Sequence, residues 1–179
     1  MAETLTRTGA LDGWAARFAE LPDSVALLAE PFHTMTSVRG ETALRPNTWV
    51  ADDGFDAVWL GPDEVLRTSP FRSAAELGGT DVSAQRTTIR LRGAHARDVL
   101  ETGCAIDLHP RVFGAGSAAV TTLGQANVIL LCLGENDYRI LVRSSFAAYL
   151  AEWLLDAATE WRTDTATEWR TDTGAEHRG

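Results

Sequence analysis

Lysine is absent from this chain of 179 residues, and cysteine is scarce. All 16 basic residues are arginine, so the chain offers no lysine for a Schiff base or a lysine-linked cofactor. Cys104 and Cys132 have no second sulfur or histidine at metal-ligand spacing, which argues against zinc fingers and ribbons. In a chain of this kind we expect both cysteines to be buried thiols and not a disulfide.

Long apolar segments and an excess of positive charge are also missing. No apolar run approaches the roughly 18 residues that a bilayer requires, and the N-terminus lacks the basic and apolar regions of a secretory signal. We therefore expect a cytoplasmic protein with no membrane partner. The net charge of −9 argues against nucleic acid as a partner, because phosphate neutralisation needs a basic surface.

The glycine motifs of nucleotide-binding and hydrolase folds are missing as well. There is no G-x-G-x-x-G, Walker or G-x-S-x-G motif, and Gly78-Gly79 and Gly114-x-Gly116 are isolated glycine turns. We therefore expect no NAD, FAD or ATP on a Rossmann or P-loop module of this chain.

Few residues could carry acid–base chemistry. The Asp107-x-His109 pair could orient an imidazole, but a hydrogen bond within the loop is the favoured interpretation. The remaining histidines are predicted on an exposed helix face (His95), in the tail (His177) and without a nearby partner in sequence (His33). Asp52-Asp53 is predicted to be a solvated turn and Ser144-Ser145 a helix cap. No catalytic, cofactor-binding or metal-ligating residue is assigned.

The chain divides into three predicted segments. Residues 1–23 form a polar lead, in which Trp14, Phe18 and Leu21 allow a short amphipathic helix, and residues 24–158 form a single α+β domain. Residues 159–179 form a low-complexity tail, since ATEWRTDT at 158–165 recurs letter for letter at 166–173. The perfect tandem duplication is too short for a solenoid repeat.

Hydrophobic periodicity predicts strands interleaved with helices across the middle segment. Asp56–Leu60 is predicted to be a strand, with Gly61-Pro62-Asp63 opening a short helix through Leu66, and Gly40–Asp53 is predicted to be a loop. A strand at 88–92 leads to a helix from Ala94 that ends at Gly103 in a left-handed cap. Further strands are predicted at 118–123, 127–133 and 138–142. A closing helix is predicted at 145–158, with Ser144 as its N-cap. Trp153 is predicted to be buried in the core; the alternative is an exposed Trp153 that anchors an interface.

The order and spacing of these pieces resemble a known family. Asp81–Arg92, followed by Gly93 and an amphipathic helix, resembles the folate-binding domain of aminomethyltransferases. GCAIDLHP at 103–110 is similar to the gamma subunit of heterotetrameric sarcosine oxidase, as are WLGPDE at 59–64, YRILVRSSF at 138–146 and, more loosely, EPF at 30–32. The resemblance covers Val25 to Ala158.

This resemblance implies a fold and a role. The fold is α+β, an antiparallel or mixed sheet packed by helices, with split β-α-β elements as in the aminomethyltransferase folate-binding domain. The role is that of a small, non-catalytic subunit of a complex that oxidatively demethylates sarcosine with tetrahydrofolate and oxygen. Alpha and beta subunits are the implied partners, and FAD, FMN, NAD and tetrahydrofolate are implied for those partners and not for this chain.

One departure from the aminomethyltransferase pattern affects folate. In that family the hairpin after the exit loop carries an acidic residue that serves the folate-linked chemistry. The corresponding hairpin falls on Thr122–Leu131, and the acidic positions fall near Ile129 and Leu130, which are apolar. Two alternatives stay open: an autonomous folate-binding or aminomethyltransferase-like protein, and the equivalent subunit of a complex acting on another N-methyl amino acid.

Overall fold

The computed structural model describes residues 8–162, which form three layers: helices, a first sheet and a second sheet. His177, the end of the first tail repeat and the whole second repeat lie outside the described residues. Four α-helices are described: α1 (Ala15–Phe18), α2 (Ala74–Leu77), α3 (Ala96–Glu101) and α4 (Ala147–Ala157). Ten strands are described: β1 (Ala26–Ala29), β2 (Thr34–Arg39), β3 (Trp49–Asp52), β4 (Phe55–Gly61), β5 (Glu64–Ser69), β6 (Thr80–Asp81), β7 (Arg86–Arg92), β8 (Ala118–Leu123), β9 (Ala126–Gly134) and β10 (Asp137–Arg143).

The first sheet has the strand order β1-β7-β10-β9-β8 and is antiparallel at every junction. Strand β10 lies between β7 and β9, which therefore run parallel to each other although they are not hydrogen-bonded neighbours. Helix α3 belongs to the connection that leads from β7 towards β9, so this half of the domain is a split β-α-β arrangement. The predicted α+β class is confirmed.

The main core lies between the first sheet and the helices. Helix α3 contributes Val99 and Leu100, and helix α4 contributes Leu150 and Leu154, all fully buried. They pack on the face of the sheet that carries side chains such as Leu130. Burying each such aliphatic side chain contributes about 1.5–3 kcal/mol, so this contact is a principal source of the stability of the fold.

The second sheet covers the opposite face of the first. Its strand order is β3-β4-β5-β2-β6, again antiparallel throughout. A smaller core lies between the sheets, where Met35, Val58 and Leu66 meet Ile129 and Leu131. Because alternate side chains of β9 enter the two cores, its continuous apolar run is the doubly covered strand that the sequence predicts.

Two elements of the second sheet differ from expectation. The segment predicted as the loop Gly40–Asp53 ends in strand β3, which pairs with β4. Gly61-Pro62-Asp63 does not open a helix, because Gly61 pairs with Glu64 and the chain reverses into strand β5. Proline and acidic residues favour the first turn of a helix and a tight reversal alike, so the local signal was ambiguous.

Two predicted helix caps are also wrong. Gly103 does not adopt a left-handed conformation, and helix α3 ends at Glu101 with Thr102 as its C-cap. Glycine is required there by close packing instead, since a Cβ at Gly103 would lie 2.6 Å from Cζ2 of Trp153. Ser144 does not cap the closing helix; its hydroxyl donates to the carbonyl of Ala84 at 3.0 Å, and a 3₁₀ turn, Ser144–Phe146, precedes α4.

Trp153 is only half-buried, which corrects the prediction of a buried side chain. Its indole lies flat against two glycines, with Cζ2 over Gly103 and Nε1 beside Gly124. We expect Trp153→Ala to lower the free energy of unfolding by about 2–3 kcal/mol, below the cost of removing a fully buried tryptophan. Urea unfolding monitored by far-UV circular dichroism measures this loss. A cost above that range would show that the ring is more enclosed than its contacts indicate.

The ends of the described chain belong to the same core. Leu11, which precedes α1, and Phe18, at the end of α1, are both buried in the main core. Trp161 of the first tail repeat is 9% exposed and stacks on the His95 ring at 5.5 Å between centroids. Within residues 8–162, no helix is long and apolar enough to cross a membrane.

Candidate functional site

The histidines singled out in the sequence make different kinds of contact. The His109 backbone N–H donates to Asp107 Oδ1 at 2.8 Å, and the Arg111 N–H donates to His109 Nδ1 at 3.2 Å. This pair therefore closes a loop, as the favoured interpretation predicted. His95 Nδ1 lies 2.8 Å from Asp98 Oδ2, in an exposed contact. The His95 ring also stacks on Trp161.

The cysteines and paired carboxylates make no site in the described part of the chain. Cys104 and Cys132 are both free thiols, but only Cys132 is buried, which corrects the expectation that both are. Burial raises the pKa of Cys132 and makes it a poor nucleophile. Asp52 and Asp53 form the exposed β3–β4 turn, where Asp53 pairs with Arg72 at 2.7 Å. No group of three or more potential metal ligands occurs among residues 8–162.

The hairpin expected to carry folate chemistry is filled by core side chains. Ile129 is 3% exposed and packs between the sheets, and Leu130 is fully buried beneath the helices. Neither side chain can donate or accept a proton, and neither reaches a cavity-lining position in the hairpin. These residues do not fit the folate-linked role of the corresponding acid in aminomethyltransferases.

The structure brings together one buried charged cluster that the sequence analysis missed. Arg139 on β10 donates from Nε to Glu30 Oε2 at 2.7 Å and from Nη1 to Asp56 Oδ2 at 2.6 Å. Glu30 follows β1 in the first sheet, whereas Asp56 lies on β4 in the second. Arg139 therefore ties the two sheets together through a charge-assisted bridge with less than a quarter of each side chain exposed.

His33 completes this cluster. Its Nδ1 lies 3.2 Å from Thr68 Oγ1, and its Nε2 lies 4.0 Å from Glu30 Oε2. Burial lowers the pKa of His33, and nearby Arg139 lowers it further, while the Glu30 and Asp56 carboxylates act in the opposite direction. Since desolvation is the largest of these effects, the imidazole is held neutral at pH 7.

The lowered pKa of His33 makes the stability of the fold depend on pH. In the unfolded chain the imidazole titrates near 6.5, whereas the folded protein resists protonation until a lower pH. The unfolded state therefore binds more protons below pH 6.5. The free energy of unfolding decreases as the pH decreases, by at most about 1.4 kcal/mol per pH unit. We expect His33→Gln to flatten this slope. Thermal unfolding between pH 7.5 and 5 tests this, and parallel wild-type and His33→Gln profiles would contradict it.

A cleft of about 540 Å³ opens over the charged cluster. Glu30, His33, Asp56 and Arg139 lie on its floor, and Phe71 stands on its rim. The cluster supplies a buried imidazole and two carboxylates, but Arg139 engages both carboxylates. The arrangement can therefore bind polar groups, and the His33 imidazole stays outside the ion pairs that Arg139 forms.

The class of protein follows from these features. The described domain is a three-layer α+β fold in which a buried charged cluster joins the two sheets and a cleft opens over that cluster. The family model for the sarcosine oxidase gamma subunit matches residues 20–160. The chain therefore belongs to the sarcosine oxidase gamma subunit family.

Similar proteins carry the same description. The chain is 40% identical over 120 residues to a sarcosine oxidase subunit gamma from Arthrobacter sp., covering 61% of this chain and 59% of that relative. It is 39% identical over 115 residues to the subunit gamma from Corynebacterium sp. strain U-96, covering 58% and 56%. The matches thus span less than three-fifths of the length of these curated relatives.

A solved structure is similar over most of the fold. The structure is a chain of heterotetrameric sarcosine oxidase from Corynebacterium sp. U-96 in complex with pyrrole 2-carboxylate. It superposes with a TM-score of 0.79 at 29% identity, covering 87% of this chain and 96% of that one.

Two expectations from the sequence stay predictions. They are the segment boundaries at residues 23 and 158, and the absence of catalytic, cofactor-binding and metal-ligating residues from this chain.

Proposed function

We propose that this chain is the small structural subunit of a hetero-oligomeric sarcosine oxidase. The observation that carries the proposal is its likeness to almost the whole of one chain of a heterotetrameric enzyme. In this proposal, alpha and beta partner subunits hold FAD, FMN, NAD and tetrahydrofolate, and the complex demethylates sarcosine oxidatively. Two free thiols are compatible with a reducing cytoplasm, where we place the complex.

The role proposed for the chain is to support assembly. Its buried charged groups Glu30, Arg139 and Asp56 are engaged in one bridge between the sheets, and the hairpin that would serve folate is occupied by Ile129 and Leu130. What the fold supplies is a rigid, acidic surface on which larger subunits can pack. The apolar residues Ile129 and Leu130 at these hairpin positions argue against autonomous folate chemistry.

Co-expression with flavoprotein alpha and beta subunits of a sarcosine oxidase tests the proposal. We expect the chain to copurify in a fixed ratio with both subunits, and the complex to consume oxygen when sarcosine is added. The purified chain alone should show no turnover. Omitting the chain from co-expression should lower the yield or the melting temperature of the remaining complex. Turnover by the isolated chain, or a complex of full yield and stability without it, would overturn the proposal.

A further inference from the structure

The loop between β5 and α2 displays an aromatic ring in solvent. Phe71 is 88% exposed, more than any other large apolar side chain in the described residues. The backbone beneath it is fixed, because Ser69 Oγ accepts from the Phe71 and Arg72 N–H groups at 3.0 and 3.1 Å and donates to the Gly54 carbonyl at 2.6 Å. The ring is therefore presented by a preorganised loop, which lowers the entropy cost of binding.

Both flanks of this loop are anchored as well. Arg72 binds Asp53 on the facing turn at 2.7 Å. Downstream, Ser73 and Glu76 form a capping box at the start of α2, and the hydrogen bonds from Ser73 lower the pKa of the Glu76 carboxyl. The isolated fold gains nothing from an exposed phenyl ring, whereas aromatic side chains are typical anchors of protein interfaces.

The cleft beside Phe71 carries a net negative charge. Three carboxylates, Glu30, Asp52 and Asp56, line it against one guanidinium, Arg139. Arg139 lies between Glu30 and Asp56, so the exposed Asp52 at the mouth has no arginine partner in the cleft. A cation placed there gains from the carboxylates and from the face of the neighbouring ring.

We propose that Phe71 and the acidic cleft beside it form the docking surface for an arginine- or lysine-bearing segment of a partner flavoprotein subunit. The inference rests on the proposed function, whose partner it places at the boundary of the two sheets, beside the β5–α2 loop. Charge complementarity favours this occupant over a second copy of the chain, because each copy carries a net charge of −9. The ring supplies buried apolar contact, and the carboxylates select a basic segment and accelerate its association.

Two pairs of variants test the two halves of this surface in the co-expressed complex. Phe71→Ala removes the ring, and Val112→Ala removes apolar surface from another loop, where the side chain is 65% exposed. Asp52→Asn removes one cleft charge, and Asp63→Asn removes a charge from the β4–β5 turn. The dissociation constant of the chain is measured by mass photometry after dilution of the complex at 50 and 300 mM salt. Melting temperatures confirm that each variant is folded.

The expected results separate the surface from the rest of the chain. Phe71→Ala should weaken binding by about 30-fold or more, the effect of losing an interface hot spot, with Val112→Ala near wild type. Asp52→Asn should weaken binding by about 3- to 10-fold and reduce its dependence on salt, with Asp63→Asn unchanged. Amide exchange at Phe71 and Arg72 should slow further on assembly.

Each other outcome counts against the inference. Wild-type affinity of Phe71→Ala would place the interface elsewhere while leaving the proposed function standing. A wild-type chain that binds no flavoprotein subunit would overturn both. Self-association of the isolated chain that Phe71→Ala abolishes would assign the surface to a second copy, and the proposed partner would be wrong.

Discussion

Replacing Arg139 by alanine should lower the free energy of unfolding by about 3–5 kcal/mol, the cost of removing one partner from a buried ionic cluster. Glu30 and Asp56 would be left facing each other with little access to water, since their side chains are 7% and 21% exposed. The loss would also weaken the junction of the two sheets at this point, because Asp56 pairs with Arg139 across the layer boundary. Urea unfolding at pH 7 measures the change.

An exposed bridge of similar length provides the matched control. Arg17 and Glu152 are joined at 2.6 Å, with side chains 45% and 60% exposed. Arg17→Ala should have little measurable effect, since solvent screens such pairs. Arg139→Lys should fall between the wild type and Arg139→Ala, because it keeps the charge and loses the fork that reaches both carboxylates. Equal unfolding midpoints for Arg17→Ala and Arg139→Ala would show that the cluster contributes no more than a surface pair.

Introducing a carboxylate at Leu130 should prevent stable folding. Leu130 is fully buried between β9 and the helical layer, so Leu130→Asp removes core contacts worth about 2–5 kcal/mol and adds an unpaired charge. The combined cost is of the order of the whole stability of a domain, about 5–15 kcal/mol. The aminomethyltransferase pattern has an acidic residue near this position. A single substitution therefore cannot place a carboxylate here in a folded protein. Soluble yield and far-UV circular dichroism measure the result.

Two substitutions in the same hairpin are the controls for Leu130→Asp. Val120 on β8 is 64% exposed, so Val120→Asp introduces the same charge into solvent and should leave folding intact. Leu130→Met keeps the apolar volume and should cost less than about 1.5 kcal/mol. A folded Leu130→Asp protein that binds tetrahydrofolate would show that the core can open at this position and that the folate site is latent.

Local patterns predicted the elements whose burial is simple. The run Val128–Leu133 has apolar residues on both faces, and only a strand between two layers explains such a run, which β9 confirms. Alternation in Thr88–Arg92 likewise indicated a strand, which β7 (Arg86–Arg92) confirms. In both cases the sequence pattern is determined by which faces of the strand contact apolar neighbours.

Long-range contacts explain what the sequence did not predict. The Arg139 bridges span 109 and 83 residues, and His33 meets Thr68 across 35, so no local motif marks them. Gly103 was interpreted as a helix cap because glycine is frequent there, whereas its actual constraint is an indole ring from α4. A single glycine is consistent with many causes, and only the position of Trp153 distinguishes between them.

The buried Trp161 has a genetic consequence. It belongs to the first of two identical eight-residue repeats, and deleting 158–165 or 166–173 produces the same protein sequence. Replication slippage that contracts the repeat therefore always leaves Ala158 followed by Thr-Glu-Trp-Arg. The tryptophan that stacks on His95 is restored whichever copy is lost, so the tail can vary in length between lineages while the contact it makes with the core is inherited unchanged.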